Sequence, residues 1–198
     1  MLNPDRSLLR LDDRAAFHAW LDRQPHGRFV RHDGMVVAMM PEGAAHARIK
    51  AQTWRTLHDV SRASGIPCEA FMSGPIVELD EGWDFVPDVV VQGGARLASD
   101  EVTVPSPMIV AEVTSPITGY VDACTKLDGY FRVPSVEHYL VLSITARLVV
   151  HHSRLEPGNL LTRIYRDGLI VLDTLGVGID VASLYDGTEL APDRDRPG

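Results

Sequence analysis

At 198 residues, with 45% hydrophobic and 23% charged side chains, the chain has the length and composition of one soluble globular domain, able to bury a core without disulfide staples. A formal net charge of −8 argues against a general nucleic-acid coat, because affinity for a polyanion rests on Lys and Arg. The two cysteines, Cys68 and Cys124, form no CxxC pair and no Cys/His cluster at zinc spacing, which speaks against structural zinc and for reduced, mostly buried thiols.

The opening MLNPDRSLLRLDDR lacks the long apolar core of a signal peptide, and no apolar run approaches the ~20 residues of a membrane helix. The expectation is a cytoplasmic protein. Residues 12–23 have helical spacing, with Asp12 or Asp13 as cap. GRFVRHDGMVVAMMP then reads as a hairpin turning at His32-Asp33-Gly34, since Asp-Gly between apolar runs is a strong hairpin signal. Residues 43–63 form the clearest helix, with Ala45, Ile49, Thr53, Leu57 and Val60 on one face and Gly65 ending it. Short strands are expected at 67–71 and 75–79, with ELDEG as a turn.

The runs 85–91 (FVPDVVV) and 108–114 (MIVAEVT) are apolar at nearly every position, the pattern of strands covered on both faces, with the loop GGARLASDE between them. Residues 122–131 read as a helix capped by Asp122, with Ala123, Leu127 and Phe131 as its core face. Residues 137–143 and 147–152 form a strand pair, 154–189 more strands and turns, and the polar tail over 190–198 frays. This order predicts one domain over 1–198, with its core at about 11–187: an α/β fold with a mixed, twisted central sheet flanked by helices.

Asp88 and Glu112 are the informative residues, each inside an otherwise apolar strand. Aspartate is depleted in strands, and carboxylates are almost never fully buried unless paired. Desolvating a lone carboxylate costs several kcal/mol or forces protonation. A divalent cation between the two is the simplest common explanation. The plainer one places each at a strand end, exposed or bonded to backbone amides. Pro87, with no N–H for a ladder, marks a strand irregularity beside Asp88. Lys126 borders the core face of its helix, and by spacing alone reads as a surface lysine paired with Asp122. His46 lies in the first turn of the long helix, where a satisfied, partly buried histidine is the plain reading. Adjacent His151 and His152 point to opposite faces of a strand and cannot chelate one ion together.

VPDVVV, then MIVAEVTSP, then DACTKLDGYFRVPSVEHYLVL resembles the bacterial restriction-endonuclease-like family within the PD-(D/E)XK superfamily, from about Leu11 to Tyr185. MMPEGAAHARIKAQTWRTL is similar to that family's helix with an early histidine, and VGIDVASLYDG to its C-terminal end. The resemblance implies a restriction-endonuclease-like fold and DNA as substrate. It implies Mg²⁺ (or Mn²⁺) on Asp88 and Glu112, with the backbone carbonyl of Val113 as a further ligand. The superfamily lysine falls at Thr114, and members of this family carry it instead on the following helix, where Lys126 fits; His46 fits the helix histidine. An acidic residue common near position 30 is replaced by Val30, for which Glu42 or Glu78 could substitute.

The implied activity is metal-dependent hydrolysis of DNA phosphodiester bonds by a homodimer, with Asp88, Glu112, Lys126 and His46 at the site. The net acidity adds an expectation of weak DNA binding without divalent metal. The alternatives are a non-catalytic nucleic-acid or protein interaction module on the same fold, and a metal-dependent hydrolase of another phosphoester.

Overall fold

The protein is described from a computed structural model covering residues 9–24, 26, 29–38, 41–80, 83–114, 120–156, 158–188 and 190. Asp13 caps α1 (Arg14–Leu21), its carboxylate accepting the Ala16 N–H at 2.9 Å. Strands β1 (Phe29–His32) and β2 (Met35–Ala38) form the expected hairpin, with φ of 49° at Asp33 and 71° at Gly34. Positive φ at both turn residues matches the right-handed twist of the flanking strands. The long helix α2 (Ala44–Ala63) ends before Gly65, whose φ is 71°. Its buried face is Ile49, Thr53, Leu57 and Ser61, with Lys50 beside them, whereas Ala45 at the helix start is exposed.

The chain continues through β3 (Cys68–Met72), β4 (Val77–Asp80), β5 (Trp83–Phe85), β6 (Val89–Gly93) and β7 (Pro107–Thr114). Then follow α3 (Tyr120–Arg132), β8 (His138–Ser143), β9 (Val149–Glu156) and β10 (Asn159–Tyr165). A short hairpin, β11 (Leu169–Leu172) and β12 (Val177–Asp180), and α4 (Val181–Leu184) close the order. The central sheet has six strands in the order β10-β9-β8-β7-β6-β3. All its neighbours are antiparallel except β7 and β8, which are parallel and joined by α3. A four-stranded sheet, β2-β1-β5-β4, lies apart from it. This is the mixed α/β architecture that the pattern of elements predicts.

The apolar runs are covered on both faces, as expected. Val89, Val91, Ile109, Ala111, Leu140 and Leu142 face a core shared with α2, α4 and the β11–β12 hairpin. Val90, Val110 and Tyr139 face a second core with Phe85 and Tyr130.

Three expectations are corrected. The run 85–91 is not one strand: Phe85 ends β5 in the small sheet, Asp88 occupies the bend, and β6 starts at Val89 in the central sheet. Pro87 sits where the chain leaves one ladder for the other, at a position that needs no ladder donor. Second, α3 begins at Tyr120, so Asp122 lies within the helix rather than capping it. Third, Cys124 is exposed and Cys68 half-buried, so the thiols are less buried than expected. The tail from 191 onward lies outside the described residues. Among the described residues no helix is long and apolar enough to cross a membrane.

Two features were not anticipated. Arg31 and Asp84 are fully buried partners, Nε to Oδ2 at 2.7 Å, and Arg14 donates to the other oxygen at 3.0 Å. Arg31 also donates to the Asp12 carbonyl at 2.6 Å, tying α1 and β1 to β5. Asp84→Ala would leave the Arg31 guanidinium in the core without a counter-ion, and is expected to cost roughly 3–5 kcal/mol in urea unfolding. A loss below about 1 kcal/mol would show that the pair does not hold β5 in place.

The second is a histidine pair on β8 and β9. His138 Nδ1 lies 3.0 Å from His151 Nε2, both residues buried, and His138 Nε2 is 2.9 Å from Asp173 in skewed geometry for a hydrogen bond. His152 points to the other face and meets Thr162 at 2.8 Å, as the alternation requires. Burial, reinforced by the neighbouring His138, pushes His151 down to about 4. The native state therefore binds fewer protons than the unfolded chain between the usual histidine range, about 6.5, and this lower value. Stability is expected to fall as pH drops through that window. The midpoint of thermal unfolding should decline less between pH 6.5 and 4.5 in His151→Leu than in the wild type. Equal declines would place the acid sensitivity elsewhere.

Candidate active site

The site sits at one end of the central sheet, where β6 begins and the antiparallel β7 ends. The register pairs Val89, the first residue of β6, with Ala111, so the bend at Asp88 lies at the Glu112 end of β7. Helices α2 and α3 reach this end from opposite faces. Asp88 is 6% exposed and Glu112 5% exposed, and each is surrounded by donors.

The Asp88 carboxylate accepts the backbone N–H of Val113 at 2.8 Å through Oδ2. The same oxygen lies 3.3 Å from His46 Nε2, and Oδ1 lies 3.6 Å from Lys50 Nζ. Glu112 accepts from the Tyr130 hydroxyl at 2.7 Å on Oε1, while Lys126 Nζ lies 3.0 Å from Oε2. Glu42, just before α2, accepts from Lys50 and lies 3.3 Å from His46 Nδ1.

The electrostatics follow from burial. Desolvation raises Glu112 above the usual carboxylate range, against the attraction of Lys126, and nearby Asp88 raises it further. The Tyr130 hydroxyl is held well above its ordinary value by burial and by Glu112, so it stays protonated as a donor. His46 is raised by its hydrogen bond to Asp88.

Packing fixes α3 at this distance. A Cβ on Gly129 would stand 2.7 Å from Leu79 Cδ1 and 2.9 Å from the Phe85 ring, so the helix approaches the β4–β5 hairpin through a residue without a side chain. One turn earlier Lys126 reaches Glu112, and the adjacent Tyr130 stacks edge-on to Phe85 with centroids 5.3 Å apart.

The donor set suits a hard divalent cation. Glu42, His46 and Asp88 each offer an atom, all within 4.8 Å of one another. His46 Nδ1 is buried near Glu42 yet makes no hydrogen bond in acceptable geometry, an orphan that a shared cation would satisfy.

His46 is thus brought to Asp88 and Lys126 to Glu112, while Glu112 lies outside the group formed by Glu42, His46 and Asp88. Lys126 reaches inward to Glu112 instead of resting on the surface. The N–H of Val113, rather than a side chain, links the two carboxylate positions. Glu42 stands at the site, while Glu78 lies 3.5 Å from Arg14 and 3.9 Å from His18. Thr114, at the superfamily lysine position, ends β7 with its carbonyl accepting from Ile144.

Sequence reasoning did not find Lys50 or Tyr130 as site residues. Lys50 is a charged residue beside the apolar face of a helix, four positions after His46, and that spacing carried a usable signal. Tyr130 entered only as the tyrosine of the pattern Asp122, Lys126, Tyr130 in the family resemblance, with no role at the site. Tyr130→Phe removes a buried donor to Glu112 and is expected to cost about 1–3 kcal/mol in chemical unfolding. A neutral result would mean that Lys126 alone sustains the carboxylate.

Comparison with known proteins shows the family and the fold. The Uma2 family, described as "Putative restriction endonuclease", matches residues 14–182, and the chain belongs to it. Among solved structures, the chain is similar to the crystal structure of a "putative nuclease belonging to DUF820" from Anabaena variabilis. The two share 15% identity with a TM-score of 0.64, over 84% of this chain and 94% of that one. That likeness shows a nuclease-like fold. No curated protein matches significantly.

Proposed function

We propose that the protein is a metal-dependent endodeoxyribonuclease hydrolysing phosphodiester bonds in DNA. The observation that carries this reading is the pairing of two buried carboxylates, Asp88 and Glu112, across neighbouring strands, with Lys126 at one of them, in a chain of this family. In the reaction, water adds to phosphorus and the P–O bond to one sugar breaks, leaving a phosphate monoester and an alcohol.

Asp88 and Glu112 would hold a Mg²⁺ or Mn²⁺ ion, with Glu42, His46 and the Val113 carbonyl as further donors. When bound, the ion would polarise the phosphoryl group and lower the pKa of water. Lys126, partly exposed on its open side, places a positive charge where the phosphate arrives. Tyr130 fixes the rotamer of Glu112, and the Val113 N–H does the same for Asp88. Lys50 neutralises Glu42 and Asp88 in the metal-free protein, so a cation must compete with it.

That last contact also favours the second reading, a non-catalytic module. A site whose three carboxylates already face Lys50, Lys126 and a His46 raised by its hydrogen bond to Asp88 does not need a metal to be stable. A homodimer rests only on the two-fold symmetry of duplex cleavage.

Calorimetric titration with Mn²⁺ and a plasmid-nicking assay separate the two. Asp88→Ala and Glu112→Ala are expected to lose both metal binding and cleavage. Lys126→Ala should keep metal binding and lose at least a hundredfold in rate, since charge stabilisation of this kind is typically worth that much. Cleavage at the wild-type rate by Asp88→Ala would overturn the site assignment. Absence of cleavage in a wild type that binds no metal would favour the module.

A further inference from the structure

We propose that a single strand of nucleic acid is bound along α2, from the candidate site to a groove at the outer edge of the central sheet. The inference rests on the nuclease reading for its ligand class and extends it to a surface away from the two carboxylates. His46, Lys50, Trp54, His58 and Arg62 follow one another at i, i+4 spacing and form one ridge of the helix. At the helical rise this ridge runs about 24 Å, from a residue beside Asp88 to one in the groove.

The groove has a volume of about 600 Å³. Trp54, His58, Ser61 and Arg62 of α2 line one side, and Glu69, with Arg96 from the loop after β6, lines the other. Trp54 is pinned, its indole N–H donating to the Ala70 carbonyl of the edge strand β3 at 3.0 Å. The His58 ring lies 5.1 Å from it, tilted by 32°. Together they form an aromatic platform flanked by Arg62 and Arg96. Any base presents a π face to such a platform, and guanidinium groups suit phosphates.

Charge bears on the ligand through the cations of α2, Arg48, Lys50, Arg55 and Arg62 against Asp59: Arg62 lines the groove, Lys50 is held at the site by Glu42 and Asp88, and Arg55 faces a separate groove beside α4. Positive charge is concentrated on the helix that leads away from the site. An independent observation points to a ligand in the groove. The Ser61 hydroxyl on its wall is buried, the residue 3% exposed, and has no hydrogen-bond partner. Two carboxylates oppose a polyanion here, Glu69, 3.5 Å from Arg96, and Asp59, 3.2 Å from His58 Nδ1, and the exposed Arg96 side chain must turn from Glu69 to a phosphate.

The test is fluorescence anisotropy of a labelled oligothymidylate in EDTA, so that binding is read without metal or cleavage. The double variant Arg62→Glu/Arg96→Glu changes two exposed side chains outside the candidate site. It is expected to weaken binding at least tenfold, and to flatten the salt dependence of log K by about 1.4, two phosphate contacts on a single strand. Oligothymidylate should quench tryptophan emission in the wild type, and Trp54→Phe should remove most of that quenching.

Unchanged affinity in the double variant would overturn the groove. So would polyglutamate competing as well as the oligonucleotide, which would make the groove a docking surface for acidic proteins. Cleavage measured in parallel with Mn²⁺ keeps the two proposals apart. A wild type that nicks DNA while the double variant binds normally leaves the nuclease and removes the groove. A wild type that binds through Trp54 and Arg62 without nicking leaves the groove and removes the nuclease.

Discussion

Two carboxylates buried near one another, Asp88 and Glu112, lose their hydration and disfavour each other's charge, and for Glu112 burial raises the pKa. The organisation of this protein around the end of its central sheet answers that problem. Asp88 receives a backbone N–H from β7 and the cationic groups of α2, and Glu112 receives a phenol and an ammonium from α3. Each helix therefore has a polar reason to close over this end as well as an apolar reason to cover a sheet face. Removing a carboxylate would leave buried cations, and removing a cation would leave buried carboxylates. The site is thus a coupled network rather than a set of additive contacts.

The corner at Pro87 makes the network possible. It passes the chain from the small sheet, where Asp84 is locked to Arg31, into the central sheet at Val89. The buried ion pair fixes β5 three residues upstream, and the β6–β7 register fixes the strand downstream, so Asp88 is held from both sides. The backbone adds a third tie, because the Asp88 carbonyl accepts the Ser73 N–H at 3.0 Å. The strands of the central sheet transmit this rigidity to Glu112, and the parallel β7–α3–β8 unit returns Lys126 and Tyr130 to the same end.

Distribution of charge matters more here than its total. The acidity of the whole chain argues for poor affinity toward polyanions, but a net charge describes an average field. Helix α2 runs against that average, with its cations on the element that both supports the site and borders the sheet edge. Its early histidine and lysine face the carboxylates, and its later tryptophan, histidine and arginine face the groove. One helix thereby joins a region of carboxylate chemistry to a region suited to stacking and phosphate contact.

The sequence by itself determined the mixed α/β class and most elements, because period-2 and period-3.6 patterns and turn residues such as Asp33-Gly34 are local. It also singled out Asp88 and Glu112, since a carboxylate within an apolar run is at odds with its neighbours in any fold that buries the run. Their partners were less legible. Lys126 entered through the family resemblance, and Lys50 and Tyr130 were missed, because reaching a carboxylate depends on where a helix docks and not on its own spacing. Likewise Arg31 and Asp84 sit 53 positions apart and looked like ordinary polar residues of short strands. The split of 85–91 into two strands was decided by which sheet each half could join. Only tertiary structure settles such matters, because burial and charge compensation are properties of elements brought together from distant parts of the chain.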